Sequence, residues 1–207
     1  MPDGSHVTFA TGAGYDAALV FDHSGNLFVA NQSGTVYKFT SGGVRSTFAS
    51  GLNAPTGLAF DLLGNLYVSD ANAHVVYKYT TDGTQSTFAT GFNHPYGLAF
   101  DATGNLFVAD DFANTIYKVT SGGTTSVFSS DAGSPLGLTI DSNGNLYAAN
   151  FNGTIDEFDA DGTRHTFVSG LSGPNGLISY PTSIPEPSTC AILGLGLLAI
   201  LAVRRKK

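Results

Sequence analysis

The sequence predicts an all-β chain built of repeated four-stranded units, and three observations carry that reading. The aspartates Asp22, Asp61, Asp101 and Asp141 recur at spacings of 39, 40 and 40 residues. The phenylalanines Phe9, Phe48, Phe88, Phe128 and Phe167 recur at 39, 40, 40 and 39, so two independent markers share one period. Composition agrees: 26 glycines and 12% aromatic residues against 12% charged residues suit many short strands joined by tight turns. No segment of helical period precedes the C-terminal tail, which argues against a barrel ringed by helices or a helical solenoid.

Each repeat divides into four strands. The first is of the Gly-Leu-Ala-Phe type, at Gly57 to Phe60, Gly97 to Phe100 and Gly137 to Ile140. The second is Asn-Leu-aromatic-Val, at Asn65 to Val68 and Asn105 to Val108, with variants at Asn26 to Val29 and Asn145 to Ala148. Both are almost continuously apolar, as strands covered on two faces must be. The third alternates, as in His74 to Tyr79 and Thr115 to Val119, and the fourth is polar apart from one phenylalanine, as in Gln85 to Phe88. That is the pattern of a solvent-facing outer strand. Asp101-Ala-Thr-Gly104-Asn closes the first hairpin, with an Asp to cap the turn and a Gly for positive φ; Thr81-Asp82-Gly83 and Ser121-Gly122-Gly123 close the later one.

Four strands per ~40 residues, apolar inside and polar outside, describe a propeller blade. The expected architecture is a β-propeller of four-stranded antiparallel blades over residues 1–180, with complete blades at roughly 15–50, 55–90, 95–130 and 135–169. A fourth-type strand, Gly4 to Gly12, stands before them, and a first-type strand, Gly176 to Tyr180, follows. These end strands cannot close one blade alone, because its two middle strands are lacking and neighbouring strands sit about 4.8 Å apart. The N-terminal residues Met1 to Gly4 form neither a basic n-region nor an apolar h-region.

The formal net charge is −7, yet four of the nine basic residues are the last four, so the body is more acidic than the total implies. That argues against nucleic acid as a partner. One cysteine, Cys190, excludes an internal disulfide. Residues 181–188 form a proline-rich linker, and residues 189–207 an apolar segment with a basic end. As a helix, the 14 residues Cys190 to Val203 would reach about 21 Å, short of the ~30 Å hydrocarbon core. The basic end is expected to stay cytoplasmic.

This tail resembles a PEP-CTERM sorting signal. The resemblance rests on Pro185, Glu186, Pro187 and Ser188, then an apolar run with Gly194 and Gly196, then Arg204, Arg205, Lys206 and Lys207. It implies recognition by an exosortase-type enzyme of a Gram-negative bacterium. The protein would be held in the inner membrane through the helix before processing, then delivered to the cell surface or extracellular matrix. The repeats resemble the NHL family and its relatives among six-bladed propellers, through Pro95 to Asp101, Gly104 to Asp110 and Asn114 to Lys118. Against that pattern the four blades are expected to be a truncated six-bladed type, missing roughly two blades and a signal peptide. A four- or five-bladed ring and an oligomer that completes the ring are the alternatives.

In this strand order the loops after the second strand and between blades gather on one face around the channel. That face collects the candidate binding residues Asn31, Asp70, Asp110, Asp111, Asn150 and His94, with Tyr96 and Asn175 beside them. An oxygen-rich ring of this kind could hold Ca²⁺ or a polar ligand. Because the Asx position repeats in every blade, turn capping is the weightier reading. No catalytic residue is assigned. Gluconolactonase-like and streptogramin-lyase-like propellers resemble this fold, and the resemblance implies metal with channel Glu or His residues. Here Glu occurs only at Glu157 and Glu186, and the histidines lack metal-ligand spacing. The repeated Lys38, Lys78 and Lys118 read as solvated. The expected function is a non-catalytic binding or scaffold module of the envelope or matrix with a protein or polysaccharide ligand. Its rival is a metal-dependent lyase or lactonase whose catalytic residues lie mostly elsewhere.

Overall fold

A computed structural model describes residues 16–179. The expected strand at Gly4 to Gly12, the linker at 181–188 and the helix within 189–207 lie outside the described residues, as do the sorting-signal positions Pro185 to Ser188 and Arg204 to Lys207.

The described residues form four antiparallel four-stranded sheets and no helix. Blade 1 holds β1 (Asp16–Phe21), β2 (Leu27–Asn31), β3 (Thr35–Phe39) and β4 (Arg45–Ser50). Blade 2 holds β5 (Pro55–Phe60), β6 (Leu66–Asp70), β7 (Val75–Tyr79) and β8 (Gln85–Thr90). Blade 3 holds β9 (Pro95–Phe100), β10 (Leu106–Asp110), β11 (Thr115–Val119) and β12 (Thr125–Ser129). Blade 4 holds β13 (Pro135–Ile140), β14 (Leu146–Asn150), β15 (Thr154–Phe158) and β16 (Arg164–Val168). Strands are hydrogen-bonded in chain order within each blade, while β1, β5, β9 and β13 meet their counterparts in the next blade. The first strands therefore run innermost, as the propeller reading requires.

Burial explains the sequence pattern strand by strand. Every residue of β6, β10 and β14 is buried, whereas β4 and β8 are exposed except at Phe48 and Ala49 and at Phe88 and Ala89. The anchor phenylalanines stand edge-on against the ring of the second strand: Phe48 on Phe28 at 5.1 Å, Phe88 on Tyr67 at 4.8 Å and Phe128 on Phe107 at 4.9 Å. The first strand of the following blade adds Phe60 to Phe28 at 5.1 Å and Phe100 to Tyr67 at 4.9 Å. These edge-to-face rings join consecutive blades into three successive cores.

Two readings need correction. Lys38, Lys78 and Lys118 are more than solvated: each ammonium lies over the second-strand ring, 5.2, 5.4 and 5.3 Å from its centroid. Lys38 and Lys118 also approach the hairpin carboxylates Asp22 and Asp101 at 3.9 and 3.7 Å. The other correction concerns the expected strand at Gly176 to Tyr180. Residues 175–179 take the first-strand place against blade 4, with Ser179 Oγ donating to the Ile140 carbonyl at 2.8 Å. Yet they carry no strand ladder, because no second strand pairs with them among the described residues.

Blade 1 shows what an inter-blade face looks like when no described blade covers it. Leu58, Leu98 and Leu138 are 7–8% exposed, but Leu19 at the same place is 60% exposed and Phe21 is 61% exposed.

Candidate functional site

The face that carries the β2–β3, β6–β7, β10–β11 and β14–β15 loops also carries the loops between blades. Two separate structural systems meet there, one repeated and one not.

The repeated system is the set of Asx residues that end the second strands. Asp70 is buried, and its two oxygens accept the Asn53 and Ala54 backbone N–H groups at 2.7 and 2.9 Å. Asp110 is buried in the same way and accepts Asn93 N–H at 2.6 Å, His94 N–H at 2.9 Å and Ala113 N–H at 3.1 Å. Asn31 accepts the Ser33 N–H at 3.0 Å. Each thus ties its own loops together. A shared Ca²⁺ would need these oxygens turned toward one point, and instead the Asp70 and Asp110 oxygens point at N–H groups of their own blade. Among the described residues, no three His, Cys, Asp or Glu side chains are grouped to hold a metal. The oxygens of Asp70 and Asp110 are thus already engaged by backbone donors.

Blade 4 modifies the cap. Asn150 donates to the Thr154 hydroxyl at 3.0 Å and to the Asp156 carboxylate at 2.5 Å, and Arg164 Nε approaches Asp156 at 3.2 Å. Arg164 Nη1 also donates to the Asp131 carbonyl at 2.7 Å. Asp156 stands where other blades carry Tyr37, Tyr77 and Tyr117, and is fully buried. A buried carboxylate of this kind persists through its paired guanidinium and hydrogen-bonded neighbours, and this set joins blade 4 to the loop before it.

The second system occurs once. His94 Nδ1 is 2.6 Å from Asp111 Oδ1, and both side chains are largely shielded. The His94 ring stacks on Phe112 at 4.2 Å between centroids and 10° between planes, while Tyr96 lies 6.1 Å away. Phe112 is 67% exposed, so the face away from His94 meets solvent. Tyr96 owes its place to the bulge where β9 and β10 lose register between Val108 and Asp110. Burial pushes the Tyr96 hydroxyl pKa up, as does the nearby Asp111 charge, and a hydrogen bond with the Gln32 side chain opposes them.

No other described blade repeats this group. Where blade 3 has His94, Tyr96, Asp111 and Phe112, blade 2 has Ala54, Thr56, Ala71 and Asn72, and blade 4 has Ser134, Leu136, Phe151 and Asn152. Of the expected residues, the structure brings His94 and Asp111 together with Tyr96 and leaves Asn31, Asp70, Asp110 and Asn150 as buried parts of the loops. Sequence reasoning missed Gln32, Phe112 and the 71% exposed Phe151. The signal that could have found them is departure from the repeat, since a residue serving every blade alike must recur.

At the opposite end, the hairpin aspartates act alike. Asp101 Oδ1 accepts the Thr103 and Asn105 N–H groups at 2.9 and 2.8 Å, and Oδ2 accepts from the Asn105 amide at 2.7 Å. Burial pulls the Asp22, Asp101 and Asp141 carboxyls upward. Hydrogen bonds from the side chains and backbone of Asn26, Asn105 and Asn145 outweigh it and hold each below its ordinary value. A folded pKa below the unfolded value of about 3.9 adds stability above that pH and loses it as pH falls through the folded pKa. The melting temperature followed by circular dichroism should therefore be level from pH 7 to about 5 and fall below about 4. Asp101→Asn should make that fall shallower, and an unchanged slope would mean that other carboxyls govern it.

Comparison with known proteins adds an address and a fold. Residues 183–206 match the PEP-CTERM protein-sorting motif. The motif marks the chain for export and exosortase-dependent sorting in bacteria. No curated protein matches the chain. Virginiamycin B lyase from Staphylococcus aureus is similar in structure, with a TM-score of 0.70 and 16% identity over 82% of this chain and 61% of that one. A nidogen/laminin complex gives 0.74 and 22% over 82% and 70%. A gluconolactonase from Xanthomonas campestris gives 0.70 and 21% over 79% and 65%. At such identities the likeness establishes the β-propeller architecture and nothing of the chemistry. The chain spans 60–61% of the length of the lyase structures it matches.

Proposed function

We propose that this chain is an exported, envelope- or matrix-associated propeller that works as a non-catalytic binding module. Its sorting tail would be read by an exosortase-type enzyme after a transient stay in the inner membrane, and its partner would dock on the loop face beside the channel. The observation that carries this reading is the unrepeated corner of His94, Tyr96, Asp111 and Phe112. It is a part of that face that blade construction does not account for, and it combines an exposed ring with hydrogen-bonding groups, as binding sites do. The corner holds no nucleophile or paired carboxylates, and the oxygens of Asp70 and Asp110 are held by backbone N–H groups.

The test expresses the full chain in a Gram-negative host that has an exosortase and follows it in membrane, surface and medium fractions. Alanine at Pro185, Glu186 and Pro187 should trap the protein before the surface. With the tail intact, the double variant His94→Ala, Asp111→Ala should reach the outside but shift from the surface or matrix fraction into the medium. Equal retention of wild type and double variant would sink the binding assignment. The competing reading, a lyase or lactonase like the proteins it is similar to, predicts divalent-metal-dependent turnover of a lactone or cyclic depsipeptide. Detecting such turnover would replace the proposal.

A further inference from the structure

We infer that the blade 3 corner takes a neutral sugar ring of an oligosaccharide or polysaccharide; this rests on reading the loop face as the binding face. A pyranose has two chemically distinct aspects. Its flat C–H face is apolar, and its equatorial hydroxyls radiate in the ring plane as both donors and acceptors. A site for it needs an open aromatic face with mixed hydrogen-bonding groups at the edge and no reason to prefer an anion.

The corner supplies each part. Phe112 is backed on one side by the His94 imidazole, 4.2 Å away and nearly parallel, which holds the phenyl ring with its other side toward solvent. Around the His94 ring stand the carboxylate of Asp111, which directly precedes Phe112 and meets His94 Nδ1 at 2.6 Å, the Tyr96 ring at 6.1 Å between centroids and, beside the Tyr96 hydroxyl, the Gln32 side chain. This set both donates and accepts. None of these groups is Lys or Arg, and the body of the chain is acidic, so phosphate or uronate esters are disfavoured.

The surface also continues to a second ring. Asn114 Oδ1, beyond Phe112 in the same loop, accepts the Ser134 N–H at 2.8 Å, and the Ser134 carbonyl accepts the Phe151 N–H at 3.0 Å. Phe151, 71% exposed, is thus tied through Ser134 to the loop that carries Phe112 and is a second open ring on the same face. Aromatic rings of this kind add large contact area at little conformational cost.

The experiment titrates the full chain with cellotriose, maltotriose, mannotriose and chitotriose, with trigalacturonic acid as the anionic counterpart. Binding is read by saturation-transfer NMR and calorimetry. At least one neutral trisaccharide should bind, with sugar C–H protons receiving the strongest saturation. Phe112→Ala should weaken binding at least tenfold, while Phe112→Trp restores it. Asp111→Asn should weaken it too. Circular dichroism checks that the variants keep the fold, which an exposed ring allows. Absence of binding by all four neutral sugars, tighter binding of the uronate, or indifference to Phe112→Ala would each overturn the inference. The two levels separate cleanly. If no sugar binds but surface retention still depends on His94 and Asp111, the binding module stands with another ligand. If no sugar binds and retention also ignores the corner, both fall.

Discussion

Replacing Gly97 by alanine should lower the stability of the chain by about 3 kcal/mol and its melting temperature by roughly 6–12 °C. A Cβ at Gly97 would sit 2.2 Å from the Leu136 carbonyl oxygen and 3.0 Å from the Leu138 nitrogen. Both are backbone atoms of β13, the innermost strand of the next blade, so no side-chain rotation relieves the overlap. Gly57 and Gly137 meet the same obstacle, with a Cβ 2.0 Å from the Tyr96 carbonyl and 2.6 Å from the Asn175 carbonyl. The glycine is thus what lets inner strands approach across the blade boundary. Ala18 holds the place in blade 1, where its methyl packs against the core that contains Leu58 of β5. Gly104 provides the contrast. Its φ of +82° is the difficulty there, nothing lies within 4 Å of the added carbon, and Gly104→Ala should cost about 1 kcal/mol. Thermal melts of the two variants check the order, and a Gly97→Ala loss below about 0.5 kcal/mol would mean the inner strands are not packed as described.

Asp110→Ala should cost about 4 kcal/mol in urea unfolding with the slope unchanged. The side chain is 0% exposed and receives three backbone N–H groups, so its removal leaves three donors without their acceptor in a place where water must intrude. Asp110→Asn should lose about half as much, since Asn31 and Asn150 fill the same place in blades 1 and 4. One of the three donors is His94 N–H, so the alanine variant should also displace the His94–Asp111 contact and weaken whatever the corner binds. A variant of full stability would mean that the loop before β9 is held by other bonds.

The blades were legible because each strand reports its own burial. Leu106 to Asp110 is apolar up to its capping Asp and is buried throughout, and Gln85 to Thr87 is polar and exposed. The hairpins were equally plain, since Asp101 and Gly104 make a turn from residues three apart. The same locality hid the role of the lysines. Lys118 reaches over Phe107, eleven residues earlier, only because β10 and β11 are paired in register with Phe107 opposite Lys118. Asp156 was passed over for a related reason. Its partners Arg164 and Asn150 flank it at a distance of six to eight residues, and nothing in one-dimensional spacing distinguishes them from solvent-facing neighbours.

The Asx ring shows how far periodicity can carry a functional reading. A recurring residue is bound to the recurring geometry, and Asp70 and Asp110 prove to be occupied by the loops of their own blades. The informative residues are those that break the period, and the fold shows which of them stand together.

Period, strand order, turn chemistry and the sorting tail could all be read from the chain alone, because each is written in residues close together. The 40-residue recurrence of Asp and Phe positions was enough to specify blades, with apolar inner and polar outer strands. The assembly of one site from Gln32 in blade 1 and Tyr96 and Asp111 in blade 3 required the fold, as did the covering of Leu58, Leu98 and Leu138 by the preceding blade while Leu19 stays exposed. These are contacts between residues a whole blade or more apart, and only the packing of blade against blade brings them together.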